Sequence, residues 1–397
     1  MVPASVTAGL RGIAIRVIER LAAVMPLHPE RLSAIRVRGC LMANFWRDKR
    51  VFITGHTGFK GSWLTLWLHL MGARVSGYAL PAPTNPSLFH LARLQNCVQT
   101  TTGDVRDPKH LADTLAAVQP DVVFHLAGQP QISQAFLNPL DTFATNMMGT
   151  AHLLEAVRLT PSVRAVVIAT SNKCYENREW LWGYREDDPM GGRDPFSSSK
   201  GAAELVTSAY RRSYFSPEKG SQVGVATVRT GNVIGGGDFS PERLVPDFIR
   251  ALESQEPVII RQPRAVRPWQ FVLEPLSGYL QIGKLLYEHG SAYAEAWNFG
   301  PAETDLQTVA QICATFNHSL QKNDVEPIEV RLEPEEEPQE AVLRLDISKA
   351  RQRLDWIPRM ELYTALELTA QWYAGYLNNE DLRTLSENQI AFYQSLT

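Results

Sequence analysis
The feature that most constrains this chain is a turn with a glycine at every third position. Residues Arg50–Thr54 (RVFIT) make a short β-branched run, and Gly55-His-Thr-Gly58-Phe-Lys-Gly61 follows it directly. In a turn that leaves a strand and opens a helix, the first glycine permits the tight bend. The second lets a diphosphate approach the backbone, and the third lets the helix pack closely on the sheet. The helix N-terminus adds free N–H groups and the positive end of its dipole. Glycine spacing alone is weak evidence, but the strand–turn–helix context points to a bound dinucleotide. Its contacts are expected from Gly55, Thr57, Gly58, Phe59, Lys60 and Gly61.

The pattern after the turn supports the same fold class. Trp63–Met71 reads as a helix closed by Gly72, and Arg74–Tyr78 as a second strand. Val98–Thr102 reads as a third strand, Pro108–Val118 as a helix, and Asp121–His125 as a buried strand leading into Leu126-Ala127-Gly128. Then come a long helix over Asp141–Arg158, an apolar strand at Ala165–Ala169, a helix over Phe196–Phe215 and a strand at Val223–Arg229. Apolar strands alternating with helices mean a parallel sheet covered on both faces. The expected fold is therefore α/β, a Rossmann-type doubly wound parallel sheet with a smaller C-terminal α/β substrate domain. The expected division is an N-terminal extension at 1–44, a dinucleotide-binding domain at 45–235 and a substrate domain at 236–397, with interleaved boundaries. Leu362–Asn378 is expected to be the final helix, and the acidic stretch Glu333–Glu340 a solvated loop.

Composition excludes several function classes. Of 397 residues, 44% are hydrophobic and 20% charged, which is globular. A net charge of −3 offers no electrostatic support for nucleic-acid binding. No apolar run reaches the roughly 20 residues of a membrane span. Cys40, Cys97, Cys174 and Cys313 lie far apart without metal-ligand spacing, so no metal is expected, and they read as reduced thiols of a cytoplasmic protein. The first 41 residues carry six arginines against two glutamates, with Leu10, Ile13, Ala14, Val17, Leu21 and Val24 on one helical face. Three readings stay open there: an amphipathic helix, an Arg-rich targeting segment, or translation that starts at Met42.

One element of the dinucleotide pattern is missing. The second strand ends Ser76-Gly77-Tyr78-Ala79-Leu80, without an acid for a ribose 2′-hydroxyl. No arginine cluster suits a 2′-phosphate either, which favours NAD over NADP. Asp104-Val105, after the third strand, suits the adenine edge; alternatively Asp104 caps a turn.

The middle of the chain is more specific. Thr170-Ser-Asn-Lys-Cys-Tyr-Glu-Asn-Arg-Glu-Trp180, Trp182-Gly-Tyr-Arg185, Asp188–Gly192 (DPMGG) and Asp194–Lys200 (DPFSSSK) resemble the extended short-chain dehydrogenase/reductases, and within them the CDP-glucose 4,6-dehydratases. Gly55–Trp63 (GHTGFKGSW), Pro83–Phe89 (PTNPSLF), Arg229–Phe239 (RTGNVIGGGDF) and Arg267–Gly278 (RPWQFVLEPLSG) extend the resemblance from about Phe45 to the C-terminus. Members usually begin just before a pair like Phe45-Trp46, in keeping with the Met42 start. The resemblance implies tightly bound NAD and a nucleotide-sugar substrate, CDP-glucose. A hydride leaves sugar C4, water is lost across C5 and C6, and the hydride returns to C6. It also implies a homodimer or homotetramer, built through the helices at Asp141–Arg158 and Phe196–Phe215, in deoxysugar synthesis for lipopolysaccharide O-antigen.

The resemblance assigns catalytic positions to Ser171, Asn172, Lys173, Phe196 and Lys200. Lys200 also holds the cofactor, which Leu126 and Ala127 line. Gln129, Asn232, Arg267 and Trp269 take substrate positions. Two of these residues depart from the family. Phe196 stands where members carry the Tyr of Y-x-x-x-K, the base for the 4-hydroxyl, and Asn172 stands where they carry the Asp that protonates the leaving 6-hydroxyl. Phe has no hydroxyl, and Asn is no carboxylic acid. Three explanations fit: an engineered substrate trap, a natural homologue with lost or altered chemistry that still binds both ligands, or an enzyme with another proton relay. Tyr175 and Tyr184 are candidates for that relay.

Several residues keep two readings. Asn146 matches a family position that ties sheet to active site, or is a surface residue of its helix. His125 lines the cofactor or is a satisfied core histidine. Arg267 pairs with a phosphate or makes a surface ion pair. Trp269 and Phe271 pack near the base or belong to the core. Gly235-Gly-Gly-Asp238 is flexible enough to close over a nucleotide, and has no lysine of a P-loop.

Overall fold
The computed structural model describes residues 44–260, 262–302, 307–333 and 343–396. The readings of the first 41 residues and of Met42, Cys40, and most of the acidic stretch lie outside the described residues.

In chain order the strands are β1 Arg50–Thr54, β2 Arg74–Ala79, β3 Gln99–Thr102, β4 Val122–His125, β5 Ala165–Ala169, β6 Gly224–Thr230, β7 Asn232–Ile234, β8 Val258–Ile260, β9 Val266–Arg267, β10 Trp269–Phe271, β11 Ala296–Phe299, β12 Gln307–Thr308 and β13 Val330–Leu332. The principal helices are α1 Phe59–Leu70, α2 Pro108–Val118, α3 Gly149–Arg158, α4 Pro195–Ser213, α5 Leu244–Ser254, α6 Leu273–His289, α7 Val309–Gln321, α8 Leu362–Leu377 and α9 Leu382–Ser395. Seven strands form one parallel sheet in the order β11-β6-β5-β4-β1-β2-β3. The order reverses between β4 and β1. A crevice therefore opens beyond the carboxyl ends of those strands, which is where open α/β sheets bind ligands.

Alternation along the strands builds two cores. Val51, Ile53, Val122, Phe124, Ala165 and Val167 face one side, with Trp63, Leu66 and Trp67 of α1 and with α6, α8 and α9. Phe52, Val123, Val166 and Ile168 face the other side, against Leu111 and Leu115 of α2 and Leu153 and Leu154 of α3. Every residue of β4 and β6 is buried, as two helical layers require. Helix α6 and strand β11 come from beyond residue 235 and return to this sheet. The small pairs β7–β10, β8–β13 and β9–β12 lie outside it.

Four sequence expectations need correction. Helix α1 begins at Phe59, four residues before Trp63, because the turn glycine Gly58 is itself the N-cap. The helix expected over Asp141–Arg158 is interrupted: Pro139–Phe143 is α-helical, Ala144–Met148 forms one π-turn, and α3 starts at Gly149. The wider turn carries Asn146, whose buried side chain is tied elsewhere in the fold. Leu362–Leu377 is not the last helix. Asp381 caps α9 by accepting the Arg383 N–H, and Leu382, Ile390 and Tyr393 bury its inner face. Finally, Gly235–Gly237 is not free to move. A Cβ at Gly236 would lie 2.0 Å from the Trp372 ring, and one at Gly237 2.7 Å from Leu88 Cβ. The Trp63 indole donates to the Gly236 carbonyl at 3.0 Å. Glycine stands there because the backbone is wedged between side chains.

Candidate active site
The glycine turn forms the floor of the crevice, and its three glycines are there for different reasons. Gly55 has φ +76°, and a Cβ on it would lie 2.6 Å from the Ala127 N and 2.8 Å from the Leu126 C. A Cβ on Gly61 would lie 2.1 Å from the Gly55 O. Both positions are closed by backbone, which cannot swing aside. At Gly58 the nearest atom is the Gly55 O at 3.5 Å, an ordinary contact. The space over Gly58 is therefore left open by the protein, as a diphosphate on the α1 N-terminus requires. That is the fit expected of a dinucleotide. Thr57 turns its hydroxyl to the Leu80 carbonyl at 3.0 Å, so it braces the end of β2. His56 is buried with Nε2 3.1 Å from Thr100 Oγ1, and burial pushes its pKa down to about 4, so it is neutral.

Lys60 and Lys200 converge on the crevice from opposite elements. Lys60 Nζ donates to Thr230 Oγ1 at the end of β6, at 2.8 Å. Burial, helped by Arg243 and Lys200, pushes its pKa down to about 7. Lys200 lies one turn along α4 from Phe196. A Cβ placed on Gly128, just past β4, would lie 3.2 Å from its Nζ. Burial pushes the Lys200 pKa down to about 8. Phe196 is buried on the first turn of α4, capped by Asp194, which accepts the Ser197 N–H at 2.9 Å. Asn172 is buried too; its Nδ2 donates to the Leu343 carbonyl at 3.1 Å, and Ser171 Oγ to its Oδ1 at 3.3 Å. Ser171 also caps the short turn that carries Lys173 by accepting the Lys173 N–H.

Asn146 is a buried tie, the first of its two readings. Its Oδ1 accepts the Gln129 N–H at 2.8 Å, and its Nδ2 donates to the Gln129 carbonyl and to Ser199 Oγ, at 3.1 and 2.8 Å. It thus locks the loop after β4 to α4. His125 is the satisfied core histidine, with Nδ1 2.7 Å from Thr54 Oγ1 and Nε2 3.3 Å from Thr150 Oγ1.

Neither tyrosine is available to replace the missing phenol. Tyr175 donates to Asn298 Oδ1 at 2.8 Å and accepts Arg229 Nη1 at 2.6 Å; burial lifts its pKa well above the usual phenol range. Tyr184 accepts the Arg178 N–H and donates to Asn177 Oδ1, with its ring between those of Tyr175 and Trp180. Beneath Tyr175 lies a cluster that sequence reasoning missed. Arg229 of β6 donates through Nε and Nη2 to both Glu204 oxygens at 2.9 Å, and Glu204 also accepts Thr170 and Thr227 hydroxyls. Burial alone would raise the Glu204 pKa, but Arg229 and the two hydroxyls hold it below the usual carboxylate value. Glu204 sits four residues beyond Lys200, so the ion pair sets the rotation of α4. The periodicity Phe196-Lys200-Glu204 was the available signal.

The outlying expected residues are less convergent. Asp104 accepts Arg106 through its backbone N–H and its Nε, each at 2.9 Å, which is the turn-capping alternative. Val105 is buried against Gly149. Gln129 Nε2 folds back onto the Gln131 carbonyl and Thr142 Oγ1. Asn232 and Trp269 face each other in the β7–β10 register, and Arg267 lies next to them in β9. The Trp269 indole N–H is buried without a partner among the described residues. Phe271 is fully buried in the core.

Comparison with known proteins agrees with this geometry. Residues 52–369 match the family model described as GDP-mannose 4,6 dehydratase. A CDP-glucose 4,6-dehydratase of Salmonella typhimurium is 50% identical over 357 residues, 89% of this chain and 98% of that protein. A dTDP-glucose 4,6-dehydratase of Xanthomonas campestris is 26% identical, over 81% of this chain and 92% of its own length. Among solved structures, an epimerase from Methanothermobacter thermautotrophicus superposes with a TM-score of 0.73 at 23% identity, over 90% of this chain and 99% of that one. A dTDP-glucose 4,6-dehydratase double mutant from Streptomyces venezuelae, solved with NAD bound, gives 0.68 at 22% identity, over 84% and 99%. With a family match across most of the chain and half of the aligned residues shared with the Salmonella typhimurium dehydratase over nearly its whole length, the chain belongs to the GDP-mannose 4,6 dehydratase family.

Proposed function
We propose that this protein is an NAD-dependent nucleotide-sugar dehydratase that converts CDP-glucose to CDP-4-keto-6-deoxyglucose. The observation that carries the substrate is the 50% identity to the Salmonella typhimurium CDP-glucose 4,6-dehydratase. The open cradle at Gly58 supports the cofactor. When bound, NAD supplies reversible hydride storage, taking up the C4 hydride and later releasing it to C6. The protein's own part is to place and isolate the sugar. Gly55, Gly58 and Gly61 would hold the diphosphate, Leu126 and Ala127 would wall the cofactor, and Lys200 would hold its nicotinamide ribose. Asn232, Arg267 and Trp269 hold the nucleotide sugar on the opposite lobe. Ser171 and Lys173 flank the sugar from the β5 end.

Purified protein with CDP-glucose should accumulate a product whose 4-keto group absorbs in base. No product at high enzyme concentration, with calorimetry still showing CDP-glucose and NAD binding, would replace this reading by binding without turnover.

The protein works as a homodimer or homotetramer. Phe136, Leu137, Leu140 and Leu205 are exposed on helices that pack together beside the site, and Leu140 is 85% exposed. Such a patch favours a second copy. A monomer in light scattering would refute this. Among the described residues no helix is long and apolar enough to cross a membrane. The resemblance supports a cytoplasmic place in deoxysugar synthesis for lipopolysaccharide O-antigen.

A further inference from the structure
We infer that Lys200 itself, as the free amine, takes the proton from the sugar's 4-hydroxyl in this chain. The inference rests on the dehydratase reading above and deepens it, since that reaction needs a base where Phe196 offers none.

The geometry already engages the tyrosines, Glu204, His125 and Lys60 of the crevice. Tyr175 is held between Arg229 and Asn298, and Tyr184 between Arg178 and Asn177. Glu204 is saturated by Arg229, Thr170 and Thr227. His125 has both ring nitrogens engaged. Lys60 is committed to Thr230. Lys200 is different. Its Nζ makes no hydrogen bond or ion pair among the described residues, and the residue is only partly exposed. It stands over Gly128, one residue beyond the Ala127 backbone that closes on Gly55, and one helical turn from Phe196. An ammonium largely withdrawn from water and without a partner is costly, so it gives up its proton more readily than an exposed lysine. The groups facing it are the Cys174 thiol and the Glu204 carboxylate, which favour its charge, and Lys60 and His125 across the crevice, whose own charged forms it disfavours.

The step balances without a further reagent. The O4–H bond breaks and its proton goes to the Nζ lone pair, giving an ammonium. The electrons of that bond close the C4 carbonyl while the C4–H pair leaves as hydride to the resident dinucleotide. Return of the hydride at C6 would restore the dinucleotide, and loss of the ammonium proton to solvent would restore the Lys200 amine.

Two readouts test this. In single-turnover assays of NAD-loaded protein, the native rate should rise with pH to a plateau as the amine loses its proton. K200R keeps the charge and the reach but cannot accept a proton, so it should lose at least about 100-fold while CDP-glucose binding by calorimetry stays within a few-fold. Competitive acetylation followed by mass spectrometry should report a Lys200 amine titrating well below exposed lysines, at the pH of the rate limb. K200R with native rate and native pH profile would overturn the assignment and leave the dehydratase reading intact. No product from the native protein would overturn both. K200M, with its thermal unfolding measured alongside, covers failure of K200R to fold.

Discussion
The three glycines of the turn make separable predictions, and Gly58→Ala set against Gly61→Ala tests them most sharply. A Cβ at position 61 would meet the Gly55 O at 2.1 Å, and the Gly55 C and His56 Cα at 2.8 Å, all backbone. Relief requires moving the turn or the start of α1, an overpacking cost of about 1–3 kcal/mol or more. At roughly 2–4 °C per kcal/mol for a domain of 150–250 residues, G61A should melt at least a few degrees lower without any ligand. At position 58 the backbone has φ −78° and the nearest atom is 3.5 Å away. Loss of a glycine N-cap costs, and loss of unfolded-chain entropy gains, about 0.5–1 kcal/mol each. G58A should therefore unfold within about 1 kcal/mol of the native protein. Its methyl group nevertheless occupies the space kept for the diphosphate. An overpacking cost of about 1–3 kcal/mol falls wholly on the complex, which is roughly 5- to 150-fold in Kd. Calorimetry with NAD and thermal unfolding of the cofactor-free protein measure both. If G58A bound NAD like the native protein while G61A kept its stability, the assignment of the open space would be wrong.

Other perturbations follow from the same contacts. Phe196→Tyr with Asn172→Asp should raise turnover by about 10²–10⁴-fold and move the rising limb of the pH profile, because a phenol beside Lys200 becomes the base; an unchanged rate would show that the pocket is not arranged for the family chemistry. Arg229→Met strands the buried Glu204 carboxylate and should cost about 3–5 kcal/mol, read by urea unfolding. Glu204 has a lowered pKa in the folded state. Its stabilisation is therefore present above the unfolded carboxylate value and lost as pH falls toward the lower folded one; E204Q should flatten that acid limb. Tyr175→Phe leaves Arg229 Nη1 and Asn298 Oδ1 without their phenol, costing about 1–3 kcal/mol, yet single-turnover rates should change less than a few-fold, since that hydroxyl is not the base.

Much of this protein is local chemistry and therefore legible along the chain. The strands β1, β2, β4, β5 and β6 are apolar because helices cover both faces, and the glycine turn announces the crevice by its spacing. Phe196 and Asn172 stand out because their side chains lack a titratable group, which needs no coordinates. Helix α9 escaped notice because it is poor in apolar residues compared with α8, although the Asp381 cap and the Leu382–Ile390–Tyr393 spacing were readable.

What the chain alone left open was decided by which partners the folded chain brings to each group, some far apart in sequence and some near. Gly235–Gly237 looks mobile as a string of glycines, but Val272, Trp372 and Leu88 stand where side chains at the three positions would project, and Trp63 holds the Gly236 carbonyl. Asp104 is a carboxylate next to a strand end until Arg106 turns back onto it. Tyr175 and Tyr184 looked like spare acids and bases. Partners more than fifty residues away for one, Arg229 and Asn298, and a backbone N–H for the other, consume their hydroxyls. The same network leaves Lys200 without a partner among the described residues. Residue type sets what a group can donate or accept; only the folded environment decides whether that capacity is already satisfied.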